Sequence, residues 1–166
     1  MNTSLVFFWT GLLSFLPISE LRGGIPFALA QGIPWYLAYP FAALVNTLAA
    51  PACWVFLSTL HRFFLRLAEK PRFSWYRRLF DRFVERSREK LRGGVEKWGW
   101  LGVTIFVAIP LPLTGAWTGT LGAWILGLGR RKTLGAVALG VFIAGAVVTL
   151  VAYLGIEALR FFVKGN

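Results

Sequence analysis

Apolar residues in this chain run in four stretches, Leu5 to Ser19, Ile25 to Leu60, Gly99 to Gly129 and Thr133 to Ile156. A helix that spans a membrane needs about 20 apolar residues, with a range of roughly 17 to 25. Thr133 to Ile156 fits one crossing, and Pro34 to Leu60 fits one long or tilted crossing. The other two stretches do not fit. Leu5 to Ser19 is short, and Gly99 to Gly129 runs for 31 residues with Pro110 and Pro112 at its centre.

The flanks of Gly99 to Gly129 determine its course. Lys90, Arg92 and Lys97 precede it, and Arg130, Arg131 and Lys132 follow it. Cytoplasmic segments carry an excess of Lys and Arg, so this stretch is expected to enter and leave on the cytoplasmic side. Its arms, Gly99 to Ile109 and Gly115 to Gly129, have 11 and 15 residues. At about 1.5 Å per residue, each reaches only part way through a hydrocarbon core of about 30 Å. The expected result is a re-entrant hairpin that turns where two prolines remove backbone donors and Gly115 allows positive φ. The competing reading is one long helix kinked at Pro110.

The first half reads the same way. Leu5 to Ser19 is a short arm, Pro17 to Pro26 the tip, and Phe27 to Ile33 the start of the return; a helix from Pro34 then runs inward to His61. In the alternative, Leu5 to Ser19 crosses a thin membrane. No Lys or Arg precedes Arg22, so the N-terminus is expected outside. Met1 to Ser19 lacks a basic n-region and a small-residue cleavage site and is expected to stay in the mature protein.

The expected architecture is an all-α integral membrane protein built as an inverted repeat. Each unit is a re-entrant helical hairpin plus a transmembrane helix, over residues 1–61 and 99–166. The linker 62–98 and residues 130–132 face the cytoplasm, and both termini lie outside the cell (plasma) membrane. Small residues recur every four positions at Ala42, Asn46 and Ala50 and at Ala136, Gly140 and Ala144, a spacing that lets helices approach closely.

Composition agrees, because 57% hydrophobic residues and eight Trp exceed what a water-soluble chain of 166 residues can hide. Of 25 charged residues, 17 lie between Arg62 and Lys97, 12 of them basic. The net charge of +11 therefore reflects positive-inside bias rather than nucleic-acid binding, for which no module surrounds the basic residues. Within this linker Tyr76, Leu79, Phe80, Phe83, Val84 and Leu91 recur at helical spacing among arginines. That pattern predicts an amphipathic helix, Trp75 to Leu91, lying on the anionic leaflet with membrane lipids as its partners. Trp35, Tyr36 and Tyr39 on one side and Trp98 and Trp100 on the other fit interfacial aromatic belts.

Candidate chemistry is sparse. One Cys (Cys53) and one His (His61) exclude an internal disulfide and a His/Cys metal cage, so no metal or cofactor is expected. No nucleophile motif or phosphate loop occurs, and an enzyme is not expected. Glu20 and Arg22 are the only charged residues before His61. In the hairpin reading they sit near mid-membrane, where charge is costly, and should pair with each other, with backbone groups or with a ligand. Glu20 is a candidate proton carrier, and Arg22 a candidate to grip an anionic head group. Asn46 is either a helix-to-helix hydrogen bond or a substrate contact. Across from them, Pro110, Pro112, Thr114, Trp117 and Thr118 form the second tip.

At the two tips the chain resembles the small multidrug export protein family. The resemblance rests on Glu20-Leu-Arg-Gly-Gly-Ile-Pro26, on Asn46, and on Pro110-Leu-Pro-Leu-Thr-Gly-Ala-Trp-Thr-Gly119, and it covers nearly the whole chain. A more distant similarity is to the DedA superfamily, whose members carry a Glu in one re-entrant hairpin and Pro and Arg in another. Some of those are implicated in returning polyprenyl-phosphate carriers across the membrane. The present chain has no Arg between Lys97 and Arg130, which departs from that pattern.

These readings lead to a secondary transporter that moves an amphiphilic substrate through a midplane site lined by Glu20, Arg22, Thr114, Trp117 and Thr118, with Glu20 protonation coupled to movement. The alternatives are a DedA-like lipid-phosphate flippase and a membrane-shaping assembly protein that works through the amphipathic helix. Four buried elements barely enclose a site, which leaves room for a homodimer.

Overall fold

Proline and hydroxyl side chains set the helix ends. The computed structural model describes residues 2–68, 95–111 and 114–164, and these are all-helical, with no strand among the described residues. The helices are α1 (Thr3–Phe15), α2 (Glu20–Ala30), α3 (Trp35–Thr47), α4 (Ala49–Ala68), α5 (Val95–Ala108), α6 (Ala116–Ile125) and α7 (Arg130–Lys164). The amphipathic helix expected over Trp75 to Leu91, and Pro112, lie outside the described residues.

At the first tip, Pro17 has no N–H to offer the Leu13 carbonyl, and the Ser19 hydroxyl donates there instead, at 2.5 Å. The turn occupies only residues 16–19, so the return begins at Glu20 rather than at Phe27. Pro26 lies inside α2, where it deprives only the Arg22 carbonyl of its helical partner. The helix expected from Pro34 runs from Trp35 to Phe64 with one irregular residue, Leu48, where Pro51 cannot donate to the Thr47 carbonyl. At the second tip the Thr114 hydroxyl closes the end of α5, lying 2.6 Å from the Ile109 carbonyl and 2.8 Å from the Leu111 carbonyl. Past α6, Gly127 takes φ +76° and lets the chain turn into α7. That helix starts at Arg130, so the basic cluster forms its first turn.

Among the described residues, two helical stretches are long and apolar enough to cross a membrane: Trp35–Phe64, mean hydropathy 1.6, and Arg130–Ala158, mean hydropathy 2.5. Only 33% and 39% of their most apolar windows are buried inside the protein. The core itself is small-residue packing, with Ala38, Ala42, Ala43, Ala49, Ala116 and Ala123 fully buried. Large residues such as Phe8, Leu44, Leu48, Phe56 and Val151 point outward. A water-soluble fold has the reverse arrangement, whereas lipid-embedded helices gain by close backbone approach and lose nothing by presenting Leu and Phe to hydrocarbon. The small faces predicted from the four-residue spacing are buried at helix contacts.

The packing is reciprocal. Each hairpin, α1–α2 and α5–α6, holds its two arms together, and its first arm lies on the long helix that follows it, α3 or α7. Each return arm then crosses to the other half, α2 onto α7 and α6 onto α4. The two tips meet as a result.

Candidate functional site

Helix α6 begins with an unmet requirement. Its cap residue, Gly115, has no side chain to accept the first backbone N–H groups, and no side-chain cap bond is made locally. The acceptor comes from the other hairpin: the Glu20 carboxylate takes the Trp117 N–H at 3.4 Å. A carboxylate at a helix N-terminus is stabilised by the orphan donors and by the positive end of the dipole. Gly115 is needed for the approach, since a Cβ there would overlap the Glu20 carboxylate.

Glu20 itself is 8% exposed and holds φ +47°, the only non-glycine residue with positive φ among the described residues. Left-handed backbone at a residue with a side chain costs roughly 1–3 kcal/mol and persists only where its surroundings fix it. Here the fixing groups are the turn of residues 16–19 on one side and the start of α6 on the other.

Arg22 reaches the same tip from the next turn face of α2. It donates to the Thr114 carbonyl and, at 2.9 Å, to the Thr114 hydroxyl. Of the pairings expected for Glu20 and Arg22, the structure realises backbone groups: each is bound to the second hairpin, and among the described residues no direct ion pair joins them. Arg22 still acts on the carboxylate through space.

Asn46, 1% exposed, lies with Glu20 in the lining of one cavity, and its Oδ1 is buried without a partner. Glu20, Arg22, Asn46 and Pro110 line one cavity of about 10 Å³, closed by Val107, Val141 and Ala144. That is about the room one water-sized group needs.

The remaining expected site residues are placed differently. Trp117 contributes its backbone N–H to the site, but its side chain is a stitch. The indole Nε1 donates to the Phe15 carbonyl at 2.7 Å, and the rings of Phe15 and Trp117 pack edge to face at 5.6 Å. The Cys53 thiol lies against the Trp117 carbonyl at 3.6 Å. The Thr118 hydroxyl turns back onto the Gly115 carbonyl at 3.5 Å, away from the cavity. The residues that sequence reasoning did not place in the site are Ser19, which shapes the tip that strains Glu20, and Gly115, whose missing Cβ lets the Glu20 carboxylate approach. The Pro17 to Ser19 spacing, a missing donor followed by a hydroxyl, was the signal available for the first.

The match to known families falls on these elements. A family model described as "Putative small multi-drug export protein" matches residues 20–147, from Glu20 at the start of α2 through the second tip to the middle of α7. Comparison with curated proteins and with solved structures finds no match.

Proposed function

The chain belongs to this small multidrug export family of membrane proteins, and we propose that it works as a secondary transporter with its substrate site where the two hairpin tips meet. In this reading the hairpins are re-entrant and the two halves form an inverted repeat. Arms of 13 residues (α1) and 10 residues (α6) are about 20 and 15 Å long, so each stops short of crossing a core of about 30 Å, yet end to end they cover it. The tips then lie near mid-membrane, with α3–α4 and α7 as the crossing helices. The reciprocal packing of each return arm on the other half's long helix supports the repeat. So does the shared tip chemistry, in which a proline is followed by a hydroxyl that bonds back to the preceding arm, Ser19 in one half and Thr114 in the other. Broken helices that meet at such a point are the usual setting for a transported substrate and its coupling ion.

The observation that carries the proposal is the buried Glu20, strained and bound across the tips, inside an apolar bundle. When Glu20 takes up a proton, its charge is lost and its hold on the α6 N-terminus weakens, so protonation loosens one hairpin from the other. A carrier needs such a contact, one that alternates between made and broken. The basic segments 62–98 and 130–132 then face the cytoplasm of a plasma-membrane protein, with both termini outside. The test is transport in proteoliposomes under an imposed pH gradient, with a panel of fluorescent amphiphiles of either charge. Glu20→Gln and Arg22→Ala, inserted normally, are expected to abolish net movement. Wild-type rates in both would overturn the assignment.

A further inference from the structure

Resting on that reading, we propose that the tip is an anion seat occupied in the resting state by the protein's own Glu20, and that the cargo is a single-headed anionic amphiphile that takes its place. The groups converging on the Glu20 carboxylate are those that bind anions: the first N–H groups of α6, the positive end of that helix, and Arg22 nearby. The Asn46 amide completes the ring. Its Oδ1 lies beside the cavity, buried and without a partner, and among the described residues it is the one side-chain acceptor in the lining left unused. An amide that bonds a carboxylate through its N–H can turn to accept the O–H of the protonated acid, so Asn46 suits both states of Glu20.

The tail has a place as well. An open groove of about 500 Å³ runs along α2 and α7, with Arg22 and Pro110 at its head and Pro26, Val147, Val151 and Ile156 along its length. Arg22, Pro26 and Ala30 on α2 lie one turn apart, so its extent is about 12 Å. Its α7 wall is exposed, Val151 at 66%, so in the membrane reading hydrocarbon reaches it sideways from the bilayer. Arg22 is the only charged side chain in its lining among the described residues. An apolar trench that ends on one guanidinium fits an anionic head on one tail better than a lipophilic cation.

The exchange is proton-linked. Among the described residues, α1 and α6 carry no ionisable side chain. Helix α3 offers Tyr36 and Tyr39, and the Tyr39 hydroxyl is engaged on the Phe142 carbonyl. Helix α4 offers the Cys53 thiol, set on the Trp117 carbonyl, and carries His61, Arg62 and Arg66 in its second half, outside the cavity lining; α5 carries Glu96 and Lys97 only in its first turn, at the opposite end from Val107. Helix α7 bears Arg130, Arg131 and Lys132 at its start and Tyr153 and Glu157 beyond the cavity. Arg22 is thus the charged group that faces Glu20. A proton taken from water by Glu20 neutralises the internal anion and frees the N–H groups of α6, and the head group that arrives along the groove meets them beside Arg22, which stays on Thr114 and offers its remaining N–H donors.

The experiment measures binding to the full chain in phosphatidylcholine nanodiscs. The probes are dodecyl sulfonate, dodecyltrimethylammonium, dodecanol and inorganic sulfate. Dodecyl sulfonate is expected to bind saturably and to tighten in the wild type from about pH 8 to about pH 5. In Glu20→Gln it should bind about tenfold tighter at neutral pH, the scale of one charge-assisted contact, and independently of pH. Arg22→Gln should lose the saturable phase. A purely structural acid predicts no gain on Glu20→Gln, and that result overturns the proposal. If dodecyltrimethylammonium binds instead and weakens in Glu20→Gln, the anion seat is refuted while the transporter reading stands. If inorganic sulfate matches dodecyl sulfonate, the ligand is a free anion and the tail groove is refuted. The pH series on the unaltered protein keeps the test decisive should a variant misfold.

Discussion

Replacing Trp117 with Phe separates what holds the two tips together from what the site does. The indole donates to the Phe15 carbonyl at 2.7 Å, and the two rings sit edge to face at 5.6 Å and 81°. That carbonyl ends α1, where four acceptors have no helical partner. Phe keeps a ring against Phe15 but removes the donor, so the main loss is a carbonyl left unpaired in an apolar site, about 1–3 kcal/mol. Trp117→Ala loses the ring as well and should reach about 3–5 kcal/mol. Unfolding followed by intrinsic fluorescence in detergent remains feasible, because seven of the eight Trp are kept. A cycle with Phe15→Ala isolates the ring contact, expected at about 0.5–1.5 kcal/mol, since the backbone acceptor survives that substitution. The reasoning fails if Trp117→Phe melts with the wild type. It fails equally if the Trp117→Phe loss vanishes in the Phe15→Ala background, which would assign the whole effect to the rings.

Ser19→Ala should destabilise by about 1–2 kcal/mol, because the Leu13 carbonyl then has neither the Pro17 N–H nor the hydroxyl, while Ser19→Thr should restore most of it in the same melt. At Gly140 an added Cβ would stand 2.7 Å from the Val107 Cβ and 2.8 Å from the Thr104 carbonyl, so Gly140→Ala should cost about 1–3 kcal/mol by parting α5 from α7. Gly115→Ala puts a methyl where the Glu20 carboxylate lies and is expected to abolish transport in normally inserted protein, whereas Gly122→Ala, with nothing within 4 Å, should leave transport unchanged. In a Cys53→Ser background, Asn2→Cys and Arg131→Cys are expected to label from opposite sides of the membrane with an impermeant maleimide. Labelling of both from one side would end the two-hairpin topology.

Much of the architecture was present in the run lengths of apolar residues. Segments too short or too long for one crossing, divided by prolines and bounded by basic clusters, gave the division into hairpin arms and long helices before any contact was known. The small-residue spacing placed Asn46 and Gly140 on buried faces for the same reason: a period close to the helical repeat survives whatever the helix packs against. Boundaries were less legible. Pro26 and Pro51 read alike, yet one lies in the interior of α2 and the other in the first turn of α4, where the missing N–H is one that a helix start leaves unpaired in any case.

The two charged residues of the first tip could be picked out from sequence by the expense of placing charge among apolar residues. Their partners could not. That Glu20 caps α6 while Arg22 grips Thr114, instead of the two pairing along α2, follows from the meeting of elements almost a hundred positions apart. The same holds for Trp117, whose letters fit a substrate contact and whose indole instead closes the end of α1. Sequence by itself determined which segments are apolar, where donors are missing and which residues are too costly to leave unpaired. Tertiary structure alone decided who satisfies whom, because a hydrogen bond across two hairpins depends on a distance that no local pattern encodes.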